Sequence, residues 1–143
     1  MSEAVAALVA VTEEAEAALG GVREVRLTHF PFHVGRERRA TDDDLEYAFG
    51  EDRRQSNNNN GLNELYVVEA AKGHWLHVSA EHFAIERVDD RFFLVDRGSA
   101  CGTIVAGRRI GGNRRGGRTE LHDGDEVVVG THRSRYIFRF AIV

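Results

Sequence analysis

Cys101, His82 and Asp96 are the residue types of a thiol enzyme, in which an imidazole base activates the thiolate and a carboxylate orients the base. Such a set is recognised by geometry, which position along the chain does not supply. The stretch that holds the thiol, DRGSACGTIV (residues 96–105), has a second reading as a small-residue turn in a binding loop, with Cys101 lining it. His29, His33, His74, His77 and His82 raise the question of a metal. The spacing in HWLH (74–77) suits a helix, but in a strand it turns the two rings to opposite faces. With no cysteine partner and no carboxylate at ligand spacing, no metal and no cofactor are expected. The segment GRRIGGNRRGGR (107–118) sets five arginines among glycines. It fits a solvated loop, a contact to single-stranded nucleic acid, or a contact to an anionic peptide. No aromatic residue is interleaved in it and the chain's formal net charge is -4, so nucleic acid is not expected as the partner.

The elements that position these residues belong to a chain of 143 residues, the size of one domain with its own core. A hydrophobic fraction of 42% and a charged fraction of 29% are those of a soluble globular protein. The lone cysteine forms no internal disulfide, so nothing points to an oxidising compartment. The opening MSEAVAALVAVTEEAEAAL lacks a basic leader, and no apolar run approaches the roughly 18 residues of a membrane span. The expectation is a cytoplasmic protein without a membrane partner, of undetermined oligomeric state.

Strand signals dominate the C-terminal half. HFAIERV (82–88) and RFFLVD (91–96) flank an acidic turn, and GTIVAGRRI (102–110) alternates about a central glycine like a hairpin. TELHDGDEVVVG (119–130) has an Asp-Gly-Asp turn before three valines, and RYIFRFAIV (135–143) alternates with period two. Short strands at regular spacing with a single proline indicate an all-β sandwich. LNELYVVEA (62–70) and HWLHV (74–78) continue that pattern. Residues 37–61, charged and then asparagine-rich, read as a long inserted surface loop with one helical turn around Leu45–Phe49. The N-terminus is undecided on residue type. SEAVAALVAVTEEAEAALGG has helical propensity with Ser2 as N-cap and Gly20 just past the end, yet VAALVAVT equally suits a buried strand.

FPFHVGRE (30–37), HVSAEHFAI (77–85), VDRGSACGTIVAGRRI (95–110) and LHDGDEVVVG (121–130), in that order, resemble the forkhead-associated (FHA) domain. The family pattern is a strand ending in Gly-Arg, then Ser-Arg-x-His, then Ser-x-Asn-Gly-Thr leading to Val-Asn-Gly, then a Gly-Asp turn. The resemblance implies a single FHA-like domain over 1–143, an eleven-stranded antiparallel β-sandwich (FHA/SMAD-like) with a long inserted loop. It also implies a strand over residues 5–12, against the helical propensity there. Its function would be non-catalytic binding of phosphothreonine in a partner protein or peptide through loops at one end.

Matched by motif, Arg36 and Ser79 take the phosphate contacts, and His82 braces the binding loops from within. Gly35, Gly102 and Thr103 shape the backbone. Phosphothreonine carries roughly 1.5 to 2 negative charges and three acceptor oxygens, so a guanidinium with a short hydroxyl suits it. Taken alone, Arg36 is one member of a charge cluster and Ser79 a turn cap.

Three positions of the expected peptide site depart from the pattern. Ala80 stands where arginine or asparagine is usual, Ala100 where a hydroxyl often adds a phosphate contact, and Cys101 where asparagine bonds the peptide backbone. Losing two or three polar contacts at about 1 kcal/mol each removes one to two decades of affinity. The alternative is therefore a degenerate FHA domain acting as a phospho-independent interaction scaffold. In either case DDDLE (42–46) is a solvated surface or an internal mimic of the phosphate.

Overall fold

The computed structural model describes residues 5–36, 63–67 and 77–143. The expected insertion over 37–61, its helical turn, DDDLE, Ser2 and His74 lie outside the described residues. Those described form a sandwich of two sheets with eleven strands and one short helix. One sheet has the order β2 (Glu24–Leu27), β1 (Ala6–Ala10), β11 (Ile137–Ile142), β10 (Glu126–Val129), β7 (Thr103–Val105) and β8 (Arg108–Ile110). The other runs β4 (Leu65–Val67), β3 (Phe32–Arg36), β5 (Phe83–Val88), β6 (Arg91–Asp96) and β9 (Gly117–Leu121). All pairings are antiparallel except β3 with β4, which is parallel.

Alternation along each strand builds the core. Phe83 and Ile85, Phe92 and Leu94, Val127 and Val129, and Phe138 and Phe140 are buried at every second position. The sheets meet through Phe92 and Phe140, whose ring centroids lie 5.2 Å apart, and Phe30 packs on Phe92 in a tilted contact at 5.5 Å.

At the N-terminus strand and helix divide the segment, the strand over residues 6–10 and the helix over 13–18. β1 is hydrogen-bonded on both sides, to β2 and β11, and places Ala6, Leu8 and Ala10 in the core. Two ladders and that burial outweigh a helical preference of a few tenths of a kcal/mol per residue. Glu13, Glu14 and Glu16 do not suit that interior and open helix α1 (Glu13–Ala18) instead. Its N-cap is Thr12 rather than Ser2, and Gly20, with φ +80°, follows the end as expected. HWLHV is corrected where it is described, since His77 and Val78 lie in a loop. Ala106 and Gly107, at φ 50° and 86°, form the left-handed two-residue turn of the GTIVAGRRI hairpin.

The three-residue strand β4 is fastened to β3 by Glu64. Its Oε1 accepts from the His33 backbone N–H at 2.6 Å and lies 2.8 Å from His33 Nδ1, and its Oε2 lies 3.8 Å from His29 Nε2. Burial pushes this carboxyl up, but the bonds and charge of His33, with the charge of His29, outweigh it and hold the pKa below 4.5. A depressed carboxylate stabilises the fold fully above its unfolded value and loses that contribution as pH falls through the folded value. Glu64→Gln is expected to lower stability by about 1 kcal/mol at neutral pH. In acid titrations followed by chemical denaturation, the gap between the two proteins should close below pH 4.5.

Candidate functional site

Arg36, Ser79, His82, Asp96 and Cys101 converge on one end of the sandwich, whereas His29 and His33 lie apart, against Glu64. β3, β6 and β8 finish there, while β5, β7 and β9 begin there, as the register of Val34 with Phe83, Phe83 with Asp96, Asp96 with Gly117 and Thr103 with Ile110 requires. Three connections share this rim: residues 77–82 entering β5, 97–102 between β6 and β7, and 111–116 between β8 and β9.

Alternation along β6 turns Asp96 inward after Phe92 and Leu94, and its side chain is only 3% exposed. A buried carboxylate is tolerated when its lone pairs are filled. Asp96 Oδ1 accepts from the backbone N–H groups of Gly98 (3.0 Å) and Ser99 (2.9 Å). Its Oδ2 accepts from Ser99 Oγ (2.6 Å) and Thr103 Oγ1 (2.8 Å), and Ser99 Oγ in turn accepts from the Gly102 N–H. The whole loop is thereby wound around one carboxylate.

His82, fully buried, joins that loop to the next. The Ser79 N–H donates to His82 Nδ1 at 2.9 Å, which makes Nδ1 the acceptor and leaves Nε2 to donate to the Gly102 carbonyl at 2.7 Å. The same carbonyl accepts from the Gly130 N–H, drawing in the β10–β11 connection. Burial holds the imidazole below its ordinary 6.5, assisted by the nearby Arg97 charge and opposed by the Gly102 bond and Asp96. Both ring nitrogens are committed and both Asp96 oxygens are filled, so neither is left to serve Cys101 as base or orienting group. The Cys-His-Asp arrangement is not assembled. Among the described residues no three His, Cys, Asp or Glu side chains gather as a metal site, and no helix is long and apolar enough to cross a membrane.

Arg36, at the end of β3, is half-buried against the 77–82 loop. Its N–H donates to the Ser79 carbonyl and its Nε to the Val78 carbonyl, both at 2.9 Å. Ser79 is also half-buried, and its Oγ accepts from the Ala100 N–H at 3.1 Å. Gly35 lets this loop approach, since a Cβ there would stand 1.9 Å from the Ala80 carbonyl oxygen. Ala100 is exposed and Cys101 half-buried on the outer turn of the 97–102 loop.

Four supporting residues escaped the sequence reading: Asn63, Ser99, Arg97 and, in its observed role, Asp96. Asn63 Nδ2 donates to the Ala80 carbonyl at 2.9 Å while its Oδ1 accepts from Arg97 Nη1, and Arg97 Nη2 pairs with Glu81 at 3.0 Å. The Asp-Arg-Gly-Ser order held a signal for Asp96 and Ser99, because an aspartate two and three residues before backbone donors is the pattern of an Asx turn.

The described residues build a two-layer β-sandwich with converging polar loops at one end. The sequence model of the FHA domain matches residues 57–130, beyond Gly35 and Arg36. The chain belongs to the FHA domain family. Solved structures agree in fold. The kinase-interacting FHA domain of an Arabidopsis kinase-associated protein phosphatase superposes with TM-score 0.59 at 18% identity, covering 99% of this chain and 96% of that one. The N-terminal FHA domain of Saccharomyces cerevisiae Rad53p, in complex with a phosphothreonine peptide, gives 0.57 at 16%, covering 97% and 94%. Mycobacterium tuberculosis EmbR, in complex with a low-affinity phosphopeptide, gives 0.56 at 19%, with this chain spanning 98% of itself but 25% of EmbR. No curated protein sequence matches the chain.

Gly35→Ala is expected to destabilise the fold by about 3 kcal/mol or more, because the atom it meets is backbone and cannot step aside. A thermal melt within 2 °C or so of the parent would contradict that close approach. For His82 the depressed pKa means stability is complete above pH 6.5 and falls as pH drops from there to the folded value. His82→Ala should remove that part of the acid sensitivity, and it should cost about 2–4 kcal/mol at neutral pH by orphaning two buried backbone groups.

Proposed function

We propose that this chain is a non-catalytic interaction module that binds a phosphothreonine-bearing segment of a partner protein, with residues 1–143 acting as one domain. Arg36 and Ser79 hold the phosphate, while Ala80, Ala100 and Cys101 line the peptide's path. Gly35, His82, Gly102 and Thr103 keep the loops in place. The observation that supports this most is the docking of Arg36 from β3 onto the carbonyls of Val78 and Ser79. It fixes the Arg36 side chain to the loop that also carries the Ser79 hydroxyl, on a rim whose loops are held from beneath. Ser79 Oγ accepts from Ala100, so its own proton remains available to an anionic oxygen. The peptide-bound FHA structures of Rad53p and EmbR support the same class of ligand.

A second reading, a degenerate domain that binds its partner independently of phosphate, is favoured by Ala80, Ala100 and Cys101, which supply methyls and a weakly bonding thiol at the expected peptide contacts.

Fluorescence polarisation with matched threonine and phosphothreonine peptide libraries separates the two. The phosphorylated set should bind more tightly, and Arg36→Ala should reduce that binding on the order of 10- to 100-fold. Equal binding of both sets, or indifference to Arg36→Ala, favours the second reading. Cys101→Asn, which restores an amide on the outer turn, is expected to tighten phosphopeptide binding about three- to tenfold. No gain would mean that this position does not face the peptide.

A further inference from the structure

Of the five arginines in the 107–118 segment, Arg118 is occupied: it lies 3.9 Å from the Phe93 ring centroid and 3.4 Å from Glu86. Arg108, Arg109, Arg114 and Arg115 are exposed, and no carboxylate among the described residues pairs with any of them. A protein with net charge -4 thus gathers on one short stretch four cations that have no ion-pair partner among the described residues.

The stretch is bonded to the rim of the proposed site. The Asn113 N–H donates to the Ala100 carbonyl at 2.9 Å and the Arg114 N–H to the Ser99 carbonyl at 3.0 Å, and Ala100 itself donates to Ser79 Oγ. Asn113 and Arg114 both hold left-handed backbone, φ 52° and 63°, a conformation that non-glycine residues keep only where surrounding bonds impose it. Arg109 arrives from β8. Its guanidinium lies in a slot left by two glycines: a Cβ on Gly112 would stand 2.4 Å from Arg109 Nη2, and one on Gly102 3.2 Å from Nε. Nη2 is 3.5 Å from the Cys101 carbonyl oxygen. The cation therefore sits beside the turn residue that replaces the family's asparagine.

We infer that Arg109, Arg114 and Arg115 form an anion-reading extension of the site that selects carboxylate side chains flanking the phosphothreonine. This rests on the phosphopeptide reading above. A guanidinium fork matches a carboxylate in a bidentate geometry. The segment has no aromatic face on which nucleic-acid bases would stack, which favours a peptide over a polynucleotide.

The test is fluorescence polarisation on the full chain with three probes: a phosphothreonine peptide flanked by Asp and Glu, the same peptide with neutral flanks, and a single-stranded oligonucleotide. The acidic-flanked peptide should bind about tenfold more tightly than the neutral one, an advantage that shrinks as ionic strength rises from about 0.05 to about 0.5 M. Combined R109A/R114A/R115A should erase the advantage while changing neutral-peptide affinity less than about threefold. Arg36→Ala should weaken both phosphopeptides and leave their ratio in place. Phosphate-dependent binding that ignores the flanks overturns the inference and leaves the phosphopeptide reading standing. Arginine-dependent binding of acidic peptides with or without phosphate overturns that reading instead and retains the carboxylate surface. Preference for the oligonucleotide, or flank selectivity that persists in the triple variant, overturns the inference.

Discussion

One imidazole joins the loops of the candidate site. His82 accepts from the Ser79 N–H and donates to the Gly102 carbonyl, so a single buried ring sets the spacing between the 77–82 and 97–102 loops. It can do this only as the neutral tautomer with its proton on Nε2: burial favours the neutral ring, and the Ser79 N–H selects the tautomer. Asp96 has the complementary role within the 97–102 loop. Its four accepted hydrogen bonds wind that loop into the shape that presents the Gly102 carbonyl to the ring. Charge and imidazole are both spent on structure, so neither Asp96 nor His82 is left to act on Cys101.

The residues that depart from the family pattern and those that keep it are divided in the same way. Ala80, Ala100 and Cys101 are half-buried or exposed, and none of their side chains enters the Asp96 and His82 network. Gly35, His82, Gly102 and Thr103 lie on the inner side, where each meets buried backbone or the Asp96 carboxylate. The arginines of the 107–118 segment stand next to Ala100 and Cys101, two of the positions that depart from the pattern.

Much of the fold was legible because alternation in the C-terminal strands is direct: RFFLVD is β6 residue for residue, and the Ala-Gly turn declares its hairpin. The N-terminus was not legible from propensity, since Ala-rich sequence favours a helix until two neighbouring strands supply ladders to β1. Thr12 marks the change of structure, and its side chain does so by capping α1. In the site, residues that recur at motif spacing were visible, whereas Asn63 and Arg97 act through space on partners distant in sequence. Asn63 holds the Ala80 carbonyl across the β3–β5 edge, a relation no local pattern encodes. The parallel pairing of β4 with β3 escaped for the same reason.

The central claim is that a phosphate is held where β3 meets the 77–82 loop. Amide chemical shifts in nitrogen-15-labelled protein, followed during titration with a phosphothreonine peptide, test it most directly. The account predicts that the amides of Arg36, Ser79 and Ala100 move most, while those of the Asp123–Gly124 turn, in the β9–β10 connection at the opposite end of the sandwich, stay in place. Shifts gathered at that far end, or on an outer sheet face, with Arg36 and Ser79 unmoved, would contradict it.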